Sequence, residues 1–412
     1  MARSLAPSPV IIVTGANGGV GYGICQRLLV QLCQRNAPDA QPQAFASELK
    51  LEGMESAPEG YQGLTLIMAC RNAKRAEAAC ANLLSWLEGH TKKLLKTCSK
   101  EDAEYLHNFR AHCDIQIMEL DLASVSSTLK FADSVRKSVP YVSHLVSNAG
   151  VASFSGIDWL GCFKQCLCDP MGFITSPEYY LQHTGEISVD NLGWVWQCNV
   201  FGHFILFREL EDLLNKSPFD GSRVIWCSSL EASPKFYDSE DWQLKTTEHS
   251  YESTKYQIDI IATNLDQLAL RNGSRTRHLI NEPGVCSTPI SRNLVGPFLD
   301  ILKVWAFYVG RLFGSPNHPI VPYKAAISAV HLILVPLCFL PVFLTKDSSQ
   351  PARFGARSGR WGSEYVGLTP VKKWDSHKEE GQDLIRRCDE LYTSFKTEQQ
   401  QTREFERASE RM

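Results

Sequence analysis

The sequence predicts an α/β protein built on a Rossmann-like, doubly wound parallel sheet, in a single domain with insertions and an apolar C-terminal extension. Two observations carry this prediction. Short apolar, β-branched runs alternate with helical patterns between residues 10 and 290, and a glycine-rich turn follows the first run. Strands that alternate with helices favour a parallel sheet covered on both faces, and right-handed crossovers then give the doubly wound order.

The predicted elements follow one another along the chain. Val10–Val13 is a β-branched run bounded by turn residues, which is typical of a buried strand. A helix is predicted over Gly21–Leu32, because apolar residues recur there at helical spacing. Further strands are predicted at Leu64–Ala69, Ile115–Leu120, Tyr141–Ser147, Arg223–Cys227 and His278–Glu282, with a helix from Ala73 onward and others in most of the gaps.

Insertions and extensions interrupt this pattern. We expect a catalytic domain over residues 1–294 with insertions at about 36–63 and 151–190, an apolar segment over 295–345 and an extension over 346–412. The first insertion is rich in Pro, Gln, Ala and Gly and is expected to be a mobile surface segment. The second is rich in aromatic residues. In the extension, a charged helix from Trp374 is expected to pack on the body and to fray after Lys396.

The stretch Ala325–Leu344 contains no Lys, Arg, Asp or Glu over 20 residues, which meets the length needed to span a membrane. Pro336 and Pro341 interrupt it, and His331 lies within it. These features favour a buried core helix in its first half, with the second half at a membrane surface.

Composition excludes some function classes. The formal net charge is −3, so no global field attracts the chain to nucleic acid. The N-terminus lacks the apolar region of a secretory signal, and the 14 cysteines are therefore expected to be reduced thiols. Cys162, Cys166 and Cys168 have no second Cys/His pair at zinc spacing, so no metal site is predicted.

The glycine-rich turn, VTGANGGVGYG, follows the first strand and opens the first helix. Backbone amides at a helix N-terminus can face a pyrophosphate, and glycines let the backbone approach it closely. We therefore predict a dinucleotide site at Gly15, Asn17, Gly19, Val20 and Gly21. The spacing differs from G-x-G-x-x-G, so a merely tight turn is the alternative.

The end of the second predicted strand indicates which dinucleotide binds. A cofactor with a free 2′-hydroxyl usually meets an acidic residue there. This chain has Arg71 instead, with Lys74 and Arg75 within one turn. A guanidinium suits a 2′-phosphate, which favours NADP(H) over NAD. The alternative is that Arg71 only caps the strand end in water.

A candidate catalytic set lies further along the chain. Tyr251 and Lys255 in YESTKYQ share one face of a predicted helix, downstream of a strand that ends at Ser228 and Ser229. A nearby ammonium stabilises a phenolate and lowers the phenol pKa, and a serine hydroxyl can orient a carbonyl oxygen beside it. Together with a nicotinamide, these groups predict carbonyl reduction.

The combined motifs resemble the short-chain dehydrogenase/reductase family over about residues 10–290. The resemblance implies that Asn148, in an N-A-G motif, borders the cofactor and that Asp121 lies beside the adenine. It implies that Asn199 supports a proton relay through a held water, and that the segment after Pro283–Val285 binds the nicotinamide, with Val285, Ser287 and Thr288 near it. It also favours the second serine of the pair, Ser229, as the catalytic one.

Within that family, ACRNAKRAE and CNVFGHFILFRELEDLL resemble the fungal 3-keto-steroid reductases of sterol C-4 demethylation and the animal 17β-hydroxysteroid dehydrogenase type 7 group. This resemblance implies NADPH-dependent reduction of a sterol 3-ketone to the 3β-hydroxyl, with Lys255 also holding the ribose. It implies partner enzymes of the demethylation complex, and location at the endoplasmic reticulum membrane and lipid droplets with the site facing the cytosol. A reductase of retinoids or 17-ketosteroids, or a scaffold in a membrane complex, are the alternatives.

Overall fold

The computed structural model describes residues 5–49, 59–287, 292–341 and 350–410. Within these ranges the strands are β1 Val10–Thr14, β2 Leu64–Cys70, β3 Cys113–Glu119, β4 His144–Ser147, β5 Phe154–Ile157, β6 Tyr180–Gln182, β7 Ser222–Cys227, β8 Thr276–Glu282, β9 Ala352–Ser358 and β10 Glu364–Pro370. Every strand predicted from the sequence is present, with bounds that differ by up to three residues.

Eight of these strands form one sheet in the order β10-β9-β8-β7-β4-β1-β2-β3. All neighbouring pairs are parallel except β10 and β9, which pair antiparallel. The strand order reverses between β1 and β4, and ligands of such sheets bind in the crevice beyond the carboxyl ends of the strands at this point. The predicted doubly wound sheet is therefore confirmed, and its site lies at the β1 and β4 ends.

The described helices are α1 Gly19–Leu32, α2 Ala73–Leu94, α3 Lys100–Ala111, α4 Val125–Ser138, α5 Trp159–Cys168, α6 Pro170–Thr175, α7 Trp194–Trp196, α8 Gly202–Asn215, α9 Ser250–Arg271, α10 Arg292–Leu312, α11 Pro322–Ala325, α12 Ile327–Leu334 and α13 Trp374–Glu410. A π-helical stretch, Gln197–Phe201, joins α7 to α8. The two faces of the sheet have separate cores. Apolar residues of α4, α8, α9 and α13 fill one, and those of α1, α2, α3 and α12 fill the other.

The aromatic insertion forms a cap over the carboxyl edge of the sheet. Strands β5 and β6 make a two-stranded antiparallel ribbon, and α5 and α6 lie between them in sequence. Helix α10 packs against this insertion, since a Cβ at Gly310 would meet Ile174 of α6. We call the segments 154–182 and 292–312 together the cap.

The uncharged stretch from Ala325 belongs to the core. Helix α12 is buried along its whole length, as the sequence predicts for the first half. In the second half, Val335 and Leu340 lie in the same core, whereas residues 336–339 are half-buried, and the expected contact with a membrane stays a prediction. Arg223 of β7 anchors the end of α12, because its guanidinium donates hydrogen bonds to the carbonyls of Leu332 and Val335. Among the described helices, none is long and apolar enough to cross a membrane.

The first insertion also differs in part from its prediction. The start of this insertion is anchored in the protein, because Ala37, Asp39 and Ala40 are buried, whereas Gln41, Pro42 and Ala44 are exposed, as predicted for a surface segment. The Asp39 carboxylate accepts two hydrogen bonds from Arg27 of α1, at 2.5 and 2.9 Å. Arg27 also pairs with Glu364 of β10, so the insertion, α1 and the sheet edge share one buried ion cluster. Residues 50–58 of this insertion lie outside the described ranges.

The C-terminal extension completes the sheet, which the sequence does not predict. Strand β9 pairs with β8 and β10 pairs with β9. Helix α13 starts at Trp374, as predicted, and packs on α9 with Leu384, Ile385 and Cys388 buried. The predicted fraying after Lys396 is wrong, since the helix continues to Glu410.

Candidate active site

A cavity of about 870 Å³ lies at the carboxyl edge of the sheet, beneath the cap. Its floor is formed by the glycine-rich turn and the ends of β2, β4 and β7. Its roof is formed by cap residues, most of them apolar: Phe154, Ile157, Trp159, Phe173, Ile174, Tyr179, Leu299, Leu302 and Phe307. This combination of an apolar enclosure with a few polar groups is typical of sites for largely apolar small molecules.

The glycine-rich turn forms one end of the cavity. Gly15 and Gly19 have φ of 67° and 51°, the left-handed region that favours glycine, and both line the cavity. A Cβ at Gly21 would lie 2.4 Å from the Gly15 carbonyl oxygen, so only glycine lets α1 start this close to β1. The first bond within α1 runs from Tyr22 N–H to the Gly18 carbonyl, which leaves the first-turn amides of Gly19–Gly21 for an anion.

Asn148 fixes this turn against the sheet. Its side-chain amide donates to the Thr14 carbonyl and its backbone N–H donates to Thr14 Oγ1, both at 2.9 Å. Asn17, Val20 and Asn148 all line the cavity. The glycine residues, the helix N-terminus and Asn148 together fit the pyrophosphate of a dinucleotide.

Arg71 lies at the next part of the cavity wall, at the end of β2. It is exposed, and within the described ranges no carboxylate forms an ion pair with it. Arg75 lines the same wall. It lies in the first turn of α2, where the Asn72 side chain accepts a hydrogen bond from the Arg75 backbone N–H at 2.9 Å. Asp121 faces this region from the end of β3. The wall therefore offers an unpaired guanidinium for a 2′-phosphate.

Three of the four residues predicted to carry the chemistry meet at the other end of the cavity. Tyr251 and Lys255 lie one turn apart on α9, and the Lys255 Nζ is 5.7 Å from the Tyr251 ring centroid. The ammonium donates to the Cys227 carbonyl of β7 at 2.7 Å. Ser229 shares a hydrogen bond with the Tyr251 phenol, whereas the Ser228 hydroxyl donates to the Lys255 carbonyl at 3.4 Å. The structure thus places Ser229, and not Ser228, beside the phenol.

The electrostatics of Tyr251 differ from the sequence prediction. Burial raises the pKa of its phenol, the charge of Glu231 raises it further, and the hydrogen bond with Ser229 lowers it. The sequence predicts that the Lys255 ammonium lowers the pKa of Tyr251. This effect does not outweigh burial, because the ammonium is held on the Cys227 carbonyl and because burial lowers the pKa of Lys255. Tyr251 is therefore a proton-bearing phenol, suited to donate a proton.

Asn199 lies behind the cavity wall and does not line it. Its side-chain oxygen accepts from the Val151 N–H at 2.8 Å, and its side-chain nitrogen donates to the Val151 carbonyl and to Thr254 Oγ1. Its backbone carbonyl accepts from His203 at 3.1 Å. Its side chain therefore joins the π-helical stretch to α9 and to the loop after β4. The expected hold on a relay water stays a prediction.

The segment after β8 is only partly at the site. Val285 lines the cavity, and its N–H donates to the Asn317 carbonyl at 2.7 Å. Ser287 does not line the cavity; its N–H donates to the Ile320 carbonyl at 2.8 Å. Thr288 lies outside the described residues.

Two residues that the sequence analysis does not identify contact this site. Glu231 lines the cavity and donates its backbone N–H to Ser229 Oγ at 3.2 Å. Arg353 of β9 donates to the Ser229 carbonyl at 3.1 Å and pairs with Asp259 of α9. Glu231 stands two residues from a predicted catalytic serine, which is the only local signal; Arg353 has none.

Comparisons with known proteins identify relatives that match most of the chain. The 3-keto-steroid reductase erg27 of Schizosaccharomyces pombe is 30% identical over 361 residues, covering 88% of this chain and 90% of that protein. The 3-keto-steroid reductase of Debaryomyces hansenii is 27% identical over 364 residues, covering 88% of both chains. That of Saccharomyces cerevisiae is 27% identical over 260 residues, covering 61% of this chain and 70% of that protein.

No family model matches the chain. Among solved structures, the Pseudomonas aeruginosa RhlG/NADP active-site complex aligns at 18% identity and a TM-score of 0.47, over 80% of this chain and 90% of that one. L-sorbose reductase from Gluconobacter frateurii, complexed with NADPH and L-sorbose, aligns at 15% identity and a TM-score of 0.46, over 80% and 91%. The curated relatives are therefore decisive: the chain belongs to the family of the 3-keto-steroid reductases.

Proposed function

We propose that the chain is an NADPH-dependent 3-ketosteroid reductase, which converts the 3-keto group of a C-4-demethylated sterol intermediate to the 3β-hydroxyl in sterol biosynthesis. The observation that carries this proposal is the junction of Ser229, Tyr251 and Lys255 beneath an apolar cap. The curated relatives that match most of the chain bear the name 3-keto-steroid reductase, which supports the same substrate class.

The proposed reaction places the ketone oxygen between Ser229 and Tyr251. The Ser229 hydroxyl donates to that oxygen and orients it. When bound, the reduced nicotinamide supplies the hydride that reduces the carbonyl carbon. The Tyr251 O–H bond breaks as the proton passes to the ketone oxygen, which becomes the hydroxyl. Lys255, held on the Cys227 carbonyl, offsets the negative charge left on the phenol oxygen until solvent returns the proton.

The cofactor end of the cavity supports NADP(H). The first-turn amides of α1, the glycine backbone and Asn148 would hold the pyrophosphate, and Asp121 would lie at the adenine side. Arg71, which has no carboxylate partner in the described ranges, would hold the 2′-phosphate.

A turnover assay with purified protein tests the proposal. We expect NADPH to be oxidised with a 4-methyl-3-ketosteroid and not with retinal. We expect Tyr251→Phe to lower kcat/KM for the ketosteroid by about 10²–10⁴-fold, since it removes the proton donor, while NADPH binding measured by fluorescence stays nearly unchanged. Tyr256→Phe is the matched control, because Tyr256 lies on the same helix but bonds to Lys372 and His377 outside the cavity. Wild-type turnover by Tyr251→Phe would exclude the mechanism.

We also propose that the outer face of the cap rests on the endoplasmic reticulum membrane or on lipid droplets, with the site facing the cytosol. The outer face is apolar and exposed, at Trp159, Leu160, Phe163 and Leu167 of α5 and at Phe298, Ile301, Leu302, Trp305, Val309 and Leu312 of α10. Apolar patches of this kind commonly mark interaction surfaces.

The cavity would open towards this face. Trp159, Leu299 and Leu302 line the cavity and are exposed residues of the same two helices, α5 and α10. The charged pair within α10, Asp300 and Lys303, is joined at 2.6 Å and largely buried, so it does not interrupt the apolar face. A water-insoluble ketone dissolved in lipid would then reach Tyr251 without crossing water.

Association with other enzymes of sterol C-4 demethylation is a further proposal, which follows from the resemblance and not from a surface of this chain. Copurification of those enzymes with the tagged chain from its own membranes tests it. Recovery of the chain alone under conditions that keep the complex together would contradict it.

A further inference from the structure

Gln182 of β6, a buried glutamine of the cap, bonds to the first turn of α9, which carries Tyr251. Its side-chain oxygen accepts a hydrogen bond from the Tyr251 backbone N–H at 2.9 Å and another from the Ser250 hydroxyl at 3.0 Å. Its side-chain nitrogen donates to Oε2 of Glu252 at 2.6 Å. One side chain of the cap therefore bonds to three consecutive residues at the start of α9.

These bonds supply what the start of α9 lacks. The first N–H groups of a helix have no partner within the helix, and a side chain at the N-cap position usually accepts from one of them. In α9 that position is occupied by His249, whose side chain makes no such bond. The N–H of Ser253 is bonded within the helix, to the His249 carbonyl at 3.1 Å. The N–H of Tyr251 is bonded instead to Gln182, so the cap replaces the missing N-cap side chain at the residue that donates the proton.

The ribbon of β5 and β6 contacts Tyr251 at a second point. Phe154 of β5 is paired with Gln182 across the ribbon, and residues paired in this way project from the same face. The Phe154 ring lines the cavity, and its centroid lies 6.3 Å from that of the Tyr251 ring. One pair of residues in the cap thus bonds to the backbone of Tyr251 and lies beside its ring.

The Glu252 carboxylate makes this arrangement selective for a glutamine. Glu252 is buried, and its Oε1 lies 3.5 Å from Nδ1 of His249. An amide at position 182 can donate to this carboxylate and accept from the Tyr251 N–H at the same time. A carboxylate there would place two like charges together, and a leucine would leave buried polar groups without partners.

We propose that Gln182 is a positioning residue of the reductase site, which holds the first turn of α9 to the cap and so fixes the Tyr251 phenol relative to Ser229 and Lys255. The inference rests on the proposed function for its kinetic readout. Gln182 does not line the cavity and adds no step to the reaction. A displacement of about 1 Å at a reacting group can lower a rate by about 10²-fold, so a loose first turn would slow the proton transfer.

Kinetics of three variants test the inference. Gln182→Leu removes both hydrogen-bonding groups, and we expect kcat for ketone reduction to fall by about 10–100-fold while KM for NADPH changes little. Gln182→Glu should also lower kcat, because it puts a second carboxylate against that of Glu252. Gln182→Glu combined with Glu252→Gln exchanges donor and acceptor across the same contact, and should restore most of the wild-type kcat.

Gln165→Leu is the matched control for these variants. Gln165 is also a bonded glutamine of the cap, but its side chain bonds to the Ser176 carbonyl and to the Glu178 N–H, both within the cap. We expect Gln165→Leu to keep the wild-type kcat. The proposal would be overturned by a wild-type kcat for Gln182→Leu, or by a double variant no more active than Gln182→Glu alone. A rise in KM for NADPH as large as the fall in kcat would also overturn it, since that result would indicate a general loss of structure.

Amide hydrogen exchange, measured by mass spectrometry on peptides that cover residues 250–255, needs no turnover. We expect faster exchange in Gln182→Leu than in wild type, because the first turn of α9 opens more readily without its partner, and a return towards wild type in the double variant. If wild type reduces no ketosteroid, the proposed function fails, while the exchange still decides whether Gln182 holds the start of α9. Equal exchange in wild type and Gln182→Leu would contradict that role.

Discussion

At the scale of single residues, replacement of Arg71 is expected to act selectively on the choice between NADPH and NADH. Arg71→Ala removes the guanidinium that would hold a 2′-phosphate, while the pyrophosphate cradle stays intact. A charge-assisted hydrogen bond contributes about 1.5–3 kcal/mol, so we expect KM for NADPH to rise by about 10–100-fold and KM for NADH to change little.

The control for this prediction is Lys74→Ala. Lys74 is an exposed cation three residues beyond Arg71 and does not line the cavity. Steady-state kinetics with both cofactors make the comparison. An equal rise in KM for NADPH and for NADH would mean that Arg71 stabilises the fold of the site and does not bind a 2′-phosphate.

Residues at the site differ in how far the sequence predicts them. Tyr251, Lys255, Gly15 and Gly19 stand in local patterns whose spacing already fixes a shared helix face or a tight turn, and all four line the cavity. Gly21 does not line it and instead lets α1 start close to β1. Asn199 stands in an equally clear motif, but its side chain is fully bonded behind the wall. Glu231 stands in no motif, because its place at the cavity depends on how the turn after β7 folds.

At the scale of elements, α10 shows why a charge-free run is a poor guide to exposure. The run from Ala325 is uncharged because α12 is surrounded by protein on all sides. Helix α10 carries Asp300, Lys303 and Arg311, yet its outer face is apolar and exposed. Asp300 and Lys303 pair with each other and do not interrupt that face. A helix with one exposed apolar face is identified by the helical periodicity of its apolar residues and not by its mean composition.

This geometry predicts which helix controls membrane binding. The double variant Ile301→Glu with Trp305→Glu places two charges on the exposed face of α10, at positions that do not line the cavity. We expect it to lose flotation with phosphatidylcholine vesicles, because a buried charge disfavours insertion among acyl chains, while reduction of a detergent-dissolved ketosteroid continues.

Leu268→Glu with Leu270→Glu is the matched control for this variant. These leucines are also exposed, but they lie near the end of α9 remote from Tyr251, about 25 Å along a helix that rises ~1.5 Å per residue. Equal loss of flotation in both double variants would show that the binding is not specific to the cap.

At the scale of the whole molecule, the C-terminal extension is part of the sheet and of the site. Strand β9 brings Arg353 and Arg357 into the interior, where both pair with the fully buried Glu282 of β8, at 2.8 and 2.6 Å. Arg353 also reaches the Ser229 carbonyl. The sequence does not predict β9, because its two arginines make it look exposed. Charged residues are rarely buried without partners, and the partners of these arginines lie more than 70 residues away in the chain.

Replacement of Glu282 tests how strongly this cluster holds the molecule together. Glu282→Gln leaves two buried guanidinium groups facing a neutral amide, and breaking a buried pair in this way costs about 3–5 kcal/mol. We expect the free energy of unfolding in urea to fall by about that amount, and Glu88→Gln, which alters only an exposed pair with Lys92, to have a small effect.

The same variant has a distinct pH signature. Burial by itself would raise the pKa of Glu282, but the charges of Arg353 and Arg357 outweigh it and hold the pKa below its usual value. A carboxyl with a depressed pKa in the folded state stabilises that state above the unfolded pKa and loses this effect as pH falls through the folded value. The unfolding free energy of wild type should therefore decline more steeply in acid than that of Glu282→Gln. Parallel declines would mean that the ion pairs of Glu282 contribute no pH-dependent stability.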